Sequence, residues 1–538
     1  MATPNKNADD MQQIERFHTV EAVPDFIKTD GGVLLDITGA NTHHLKLAED
    51  GHTILLPQPS EDPGDPLCWS SWKKHALLYT LAYGAFCSDF ISGLCPPLII
   101  AQGTHWQMNP NDVNHANTLN ILLLGVGALF WVPLSTWWGR APVVFWTAFI
   151  ALFLNLGVAL SPTFNSFYVT RALSGLISNA PPTIAIAFLR DIFFFHERAR
   201  KIGIWTCLFI VSPYCGPFIA NFMLAGTNSW KAPLWLGFAM HCLYFVALLL
   251  FLDETWFNRD VHQHEQPNRP TTLTARMSRI MGIWQIKHHK HYFLTLRHSL
   301  VKFVKALLKP VLILIFFNYQ FAAHGIHWTD RDPSLICFAW AIGINVSTAI
   351  LFATPVEFGG YGYNYKQLGY LYFTPVVAVF LGEIFGHFSN DWHAKRYIRR
   401  HKGVFEPEVR LINAELAAIL MIAGLVMVGF TLHLHLNVAV LVIGWGMHVI
   451  GIMILSVATF AYAVDAYPTA PAETAGWISF LRVIGGFSVG YFQQPWGALV
   501  GFQTSFGTQA ATVAFGLCFV VLVHVYGHRL RVKSGELN

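Results

Sequence analysis

Hydrophobic and polar positions fall along this chain in long blocks, not in short amphipathic periods. After a polar N-terminal stretch come six apolar runs, 76–101, 117–137, 142–160, 166–189, 202–224 and 232–252. Each is close to the roughly 20 residues a helix needs to cross a bilayer. A polar, basic stretch at 254–309 follows, then a second apolar series at 309–354, 368–388, 411–431, 437–462, 474–493 and 509–528. The pattern predicts six crossings, a linker and six more, with no shorter internal repeat. Segment 309–354 is unusual, since two apolar runs (309–323 and 335–354) flank the polar HGIHWTDRDPS. It reads as one crossing, interrupted or locally re-entrant, because broken backbone is tolerated at membrane depth only when buried in protein or lining water.

The bases support that count. With a cytoplasmic N-terminus, 26 Lys and Arg near the helix ends fall in cytoplasmic segments. Only Lys231, Arg331 and Lys366 fall outside, as the positive-inside rule requires. Splitting 309–354 into two crossings would carry RYIRRHK to the external side. The expected organisation is a largely disordered cytoplasmic tail (1–74), an N-terminal six-helix bundle (75–253), a cytoplasmic basic linker (254–308), a C-terminal six-helix bundle (309–530) and a cytoplasmic tail (531–538). Trp69 and Trp72 beside Lys73 and Lys74 have the composition of an interfacial anchor.

Composition narrows the class. The 538 residues are 54% apolar and only 12% charged, about half the charge of soluble domains. That excludes an ordinary soluble enzyme and a disordered chain. A net charge of +4 does not argue for nucleic acid. The eight cysteines contain no CxxC pair and read as small core hydrophobes. The polar start MATPNKNADDMQQIERFH is no cleavable signal, so the first apolar helix is expected to direct insertion. His288, His289 and His291 form one isolated cluster, whereas a desaturase-type metal box repeats. No P-loop pattern is present in the sequence. The reading is a transporter driven by an ion gradient, with no cofactor and no resident metal.

Several motifs carry a resemblance. PLSTWWGRAPV (133–143) is similar to the signature loop between helices 2 and 3 of the major facilitator superfamily; Gly139 and Arg140 match, while Thr136 and Ala141 stand where an Asp and a second base are usual. RALSG (171–175) resembles the R-x-x-Q-G helix, and SPYCGPFIAN (212–221) partly resembles the antiporter motif through Gly216 and Pro217. FAWAIGIN (338–345), FGGYGYNYKQLGYLYFTP (358–375), LGEIFGHFSND (381–391), YAVDAYP (462–468) and GGFSVGYFQQPWG (485–497) resemble a fungal drug:proton-antiporter-like branch with histidinol and polyamine permease relatives. Within it, FAAHGIHWTDRDPSLI (321–336) looks inserted in helix 7, as a genuine insertion or a retained intron. The resemblance implies an all-α protein of two six-helix bundles, monomeric, in the plasma or vacuolar membrane. It would carry a small organic molecule against protons, by export of a metabolite, toxin or drug, or by uptake of organic cations such as polyamines or histidinol.

Ionisable residues at membrane depth are costly and are the first candidates for coupling. Asp89 lies near the middle of helix 1 and could take a proton or balance a cation. Arg171, in helix 4, could tune a carboxylate or snorkel. Glu383 (helix 8) and Arg482 (helix 11) lie at similar depth and could pair. Glu383, His387 and Asp391 share a helix face, as a helix-end gate or a metal site. Tyr79, Tyr83, Asn179 and Asn345 are cavity candidates. Gly139, Arg140, Gly216, Pro217, Asp391, Asp465 and Glu473 are gating candidates.

Overall fold

The computed structural model describes residues 28–29, 32–34, 46–48, 53–60, 62, 64–257, 266–267, 269–270, 272–293, 295–321, 344, 352 and 361–535. Before the linker the helices are α1 (Ser71–Gly93), α2 (Ile99–Trp106), α3 (Pro110–Trp138), α4 (Arg140–Leu160), α5 (Phe164–Ser178), α6 (Ala180–Ile192), α7 (Phe195–Thr227) and α8 (Lys231–Phe251). The linker forms α9 (Leu273–Met281), α10 (Ile283–Tyr292) and α11 (Leu296–Leu307). After it come α12 (Pro310–Phe321), α13 (Tyr365–Leu371), α14 (Phe373–Arg400), α15 (Leu411–Leu434), α16 (Val438–Ala466), α17 (Pro471–Val500) and α18 (Phe502–Ser534).

Ten helical stretches among the described residues are long and apolar enough to cross a membrane. They correspond to ten of the predicted crossings. The other two fall on α12, described for 12 residues, and on α17, which is 30 residues long but outside those ten. The predicted insertion lies, beyond Phe321, outside the described residues, as does Asn345.

Side-chain caps set several helix starts. Ser70, Thr163, Thr272, Thr295 and Asn437 each accept a backbone N–H from the first turn, and Asn364 forms a capping box with Gln367. The fourth predicted crossing breaks into α5 and α6 at Asn179, where Pro181 and Pro182 lack the N–H groups that would continue the ladder. The carbonyls near the break find other donors. Ser88 Oγ donates to Ser178 O (2.9 Å) and Trp131 Nε1 to Leu176 O (2.7 Å).

Two seams join the helices before the linker to those after it. α3 packs along α17, and α7 packs along α13, α14 and α16. The linker helices sit at one end: α9 packs on α4, and α11 on α3 and α17. This end carries Arg140, Arg200 and Arg410, and is called the basic end below.

Part of the tail expected to be disordered is folded. Val33 of β2 (Gly32–Leu34) pairs with Phe405 of β3 (Val404–Phe405), and β1 (Lys28–Thr29) pairs with β2. Ile54 and Leu56 bury their side chains with Phe405, beside Phe195, and Leu56 O accepts Phe195 N–H at 2.7 Å. Burying this apolar surface offsets the cost of ordering the segment. Residues 1–27, 30–31, 35–45, 49–52, 61 and 63 lie outside the described residues.

Candidate functional site

Midway along the seam, Asp89 of α1 and Arg482 of α17 form an ion pair across the two sets of helices, with Nη2–Oδ2 at 2.8 Å. Both are buried, Asp89 5% and Arg482 4% exposed. The Arg482 guanidinium also lies 3.9 Å from the ring centroid of Phe209 on α7, a cation–π contact. Asp89 Oδ1 is buried with no hydrogen-bond partner among the described residues. The carboxylate thus offers one oxygen to an arginine and keeps the other buried without a partner among the described residues.

The expected partner of Arg482 is elsewhere. Glu383 on α14 points at α7, where a Cβ on Gly203 would lie 2.6 Å from its Oε1. Its Oε2 is buried without a partner among the described residues. Glu383 and Arg482 share a depth, but helix azimuth turns them to different neighbours. Pairing therefore runs from α17 to α1, and the Glu383–Arg482 bridge is not formed.

Arg171 neither snorkels nor meets a carboxylate among the described residues. It is fully buried, and its guanidinium donates to Ile91 O (3.0 Å) and Ser92 O (2.7 Å). These carbonyls belong to the last turn of α1, which has no N–H partners of its own within the helix. Asn120 Nδ2 donates to Arg171 O (2.7 Å), and Ser92 Oγ to Asn120 Oδ1 (2.7 Å). The arginine locks α1, α3 and α5 together just beyond Asp89. The break at Asn179 adds a second lock through Ser88, adjacent to Asp89. Asn179 itself is 1% exposed, with Nδ2 unpartnered among the described residues. The Asn179-Ala180-Pro181-Pro182 run is the sequence signal that marks this break.

The other cavity candidates stand apart from the pair. Tyr83 OH donates to Met240 O of α8 (3.2 Å), inside the first set of helices, and Tyr79 is 52% exposed. No hydrogen bond joins either to Asp89 or Arg482 among the described residues.

Of the gating candidates, Gly139, Arg140, Asp391, Asp465 and Glu473 lie at the basic end, and several form a charged rim there. Gly139 has φ of 106°, a region that favours glycine, and a Cβ there would meet Glu254 Oε2 at 2.7 Å. Glu254 Oε2 accepts Ala141 N–H (3.1 Å) and Gln285 Nε2 (3.2 Å). Arg140 pairs with Asp191 at the end of α6, which also accepts Thr255 Oγ1 at 3.0 Å. Asp253 holds both Lys73 (3.1 Å) and Arg279 (3.0 Å). Burial pushes its carboxyl up, but the two bases outweigh burial and hold it below the usual carboxylate range.

Asp465 pairs with Arg410 (2.6 Å), within the second set of helices, so it does not bridge the seam. Glu473 is buried close to Lys302, whose ammonium donates to Thr469 O at 2.8 Å. Burial pulls Lys302 below its usual range, and Glu473 opposes that shift. A charged bridge across the seam at this end is Arg200–Asp391, with Nε–Oδ2 at 2.8 Å. At the opposite end the seam closes on rings, Phe218 with Phe373 (4.7 Å) and Phe222 with Tyr370 (5.4 Å). Gly216 lets α7 approach α1, since a Cβ there would meet Phe90 O and Gly93 C at 2.7 Å; Pro217 follows it within α7.

Among the described residues no group of three or more His, Cys, Asp or Glu could hold a metal ion, so Glu383, His387 and Asp391 do not converge on one.

The family model described as the Major Facilitator Superfamily matches residues 81–490. The efflux pump FUB11 of Gibberella moniliformis is 27% identical over 488 residues, 89% of this chain and 76% of that one. The efflux pump radE of Floropilus chiversii is 24% identical, over 88% of this chain and 83% of its own. The human organic anion transporter MFSD10 (TETRAN) superposes with a TM-score of 0.54 at 14% identity, covering 86% of this chain and all of the other, a likeness of fold.

Proposed function

We propose that this chain, which belongs to the Major Facilitator Superfamily and resembles its fungal efflux pumps, is a proton-coupled exporter of a small organic molecule, with Asp89–Arg482 as its proton switch. The observation that carries the reading is the buried pair across the seam, with one carboxylate oxygen open. When Asp89 is ionised it holds Arg482, and with it α1 against α17. A proton on Oδ1 cancels that attraction and lets the halves part. A proton drives a conformational change only by binding one state better than the other, and a bond made across a moving seam supplies that difference. Arg171 and the Asn179 break act as positioning elements, because they fix the turn of α1 that carries Asp89.

The remaining features follow from the same reading. The chain crosses the membrane twelve times, with α12 beginning the seventh crossing and α17 forming the eleventh, in two six-helix bundles of residues 75–253 and 309–530. The basic end is cytoplasmic, as are both termini, in keeping with the 26-to-3 split of bases. The membrane is the plasma membrane, or else the vacuolar one, and the protein works as a monomer. Export is favoured over uptake of polyamines or histidinol on two grounds. The relatives named above are efflux pumps, and Arg482 already balances the Asp89 charge that a cationic substrate would need.

Proteoliposomes loaded with rhodamine 6G or carboxyfluorescein test the reading. An imposed pH gradient should drive dye release, and Asp89→Asn should remove the gradient dependence. Gradient-independent release in both proteins would end the coupling claim. Spermidine accumulation in cells expressing the chain, above cells that do not, would replace export by uptake.

A further inference from the structure

The outer face of α14 near the basic end carries a groove that the transport reading does not use. It is an open surface groove with about 1100 Å³ of space between α14, α15 and the start of α7. Leu381, Ile384, Phe385 and Phe388 line one part, each with its side chain substantially exposed. Further along α14 the lining becomes polar, with Asp391 and Lys395, and Arg200 of α7 completes it. Trp392 lies at the change of character, with the Arg396 guanidinium 5.0 Å from its ring. From Leu381 to Lys395 the groove spans about 21 Å at the helical rise. That is close to one leaflet, half of a bilayer about 40–45 Å thick with its headgroups.

We propose that this groove binds one anionic phospholipid. An acyl chain lies along Leu381, Ile384, Phe385 and Phe388, and the phosphodiester rests on Arg200 and Lys395. A soluble anion would use only the charged end and leave the apolar side chains uncovered. A zwitterionic lipid would bring its ammonium against Lys395 and Arg396. Arg200 is engaged by Asp391 yet its side chain remains 47% exposed, so the phosphodiester can reach the guanidinium and compete with Asp391 for it. The lipid then loosens the charged bridge between α7 and α14 and tunes how easily the basic end opens. The inference rests on the proposed orientation only for which leaflet supplies the lipid.

Full-length protein is purified from bilayers of phosphatidylcholine and phosphatidylglycerol, and its retained lipids are weighed by native mass spectrometry. The wild type should keep phosphatidylglycerol in preference. Arg200→Gln with Lys395→Gln should lower that preference by about five-fold for each base removed. Asp391→Asn should raise it, because the competitor for Arg200 is gone, and this opposite sign separates lost binding from damaged folding. Inorganic phosphate at the same headgroup concentration should displace nothing. Equal retention of the two lipids, an unchanged preference in the double variant, lower retention in Asp391→Asn, or displacement by phosphate would each overturn the proposal. No flux is read, and both leaflets hold both lipids, so a failure here is separable from a failure of the transport reading.

Discussion

Midway along the seam Asp89 meets one arginine, Arg482, and keeps one oxygen without a partner among the described residues, as does Glu383 on α14. At the basic end three acids have donors to spare. Asp253 holds Lys73 and Arg279, Asp191 holds Arg140 and Thr255, and Glu408 holds Arg531 and Tyr462. Removing one donor from such a rim leaves another in place. Removing Arg482 leaves the buried Asp89 carboxylate without a charged partner among the described residues. Under the proposed coupling, a single proton on Asp89 would change the state of the seam and leave the rim as it is.

The largest effect should come from breaking the seam pair on one side. Arg482→Leu leaves Asp89 buried and uncompensated, which costs about 3–5 kcal/mol for a buried pair. The detergent-solubilised protein should lose thermal stability accordingly. Asp89→Leu combined with Arg482→Leu should recover most of the loss, because neither charge is then stranded. A double variant no more stable than the single would show that the seam does not depend on this pair.

Arg171→Leu comes next. It strips the donors from Ile91 O and Ser92 O at the end of α1, and each buried orphan costs about 1–3 kcal/mol. Arg171→Lys should restore little, because an ammonium lacks the planar fork that serves two carbonyls at once. Gradient-driven dye release should fall with it, since the turn carrying Asp89 loosens. Full release in Arg171→Leu would separate the clamp from the switch.

The two regions were not equally legible in the sequence. Hydropathy located ten stretches that the structure confirms as apolar helices, because a lipid-facing helix must be apolar along its length. It also picked out Asp89 and Arg482, since charge at that depth is rare. It did not pair them, because counting residues gives depth while pairing depends on azimuth, which only packing fixes. The same gap misread Arg171, whose partners are backbone carbonyls and carry no side-chain signature. Much of the rim was legible, since Gly139, Arg140, Asp465 and Glu473 stood out at the helix ends. Asp191 did not, because it looks like an ordinary helix-end acid until Arg140 at the start of α4 folds onto it.

A smaller effect tests the rim through pH. Asp253 has its folded-state carboxyl below the usual carboxylate value near ~3.9. Its stabilising contribution is therefore fully present above that value. It is lost as pH falls through the depressed folded value. Asp253→Asn should flatten the acid side of the thermal-stability profile and change little at neutral pH beyond the loss of the pair. An acid limb of equal steepness in both proteins would mean that other rim acids dominate it.

The smallest effect is expected where the seam meets the rim, at Arg200–Asp391. This bridge joins the halves as Asp89–Arg482 does, but its side chains are 47% and 26% exposed, against 5% and 7% for the buried pair. Water screens an exposed pair, so a double-mutant cycle with Arg200→Gln and Asp391→Asn should return no more than about 1 kcal/mol. That coupling should fade as salt rises and the Debye length shortens from ~10 Å at 0.1 M to ~3 Å at 1 M. The same cycle on Asp89 and Arg482 should return more and hold its value in salt, because ions do not reach a buried pair. If the two cycles gave equal, salt-sensitive couplings, burial would not distinguish the seam from the rim, and the assignment of the switch to Asp89 would lose its physical basis.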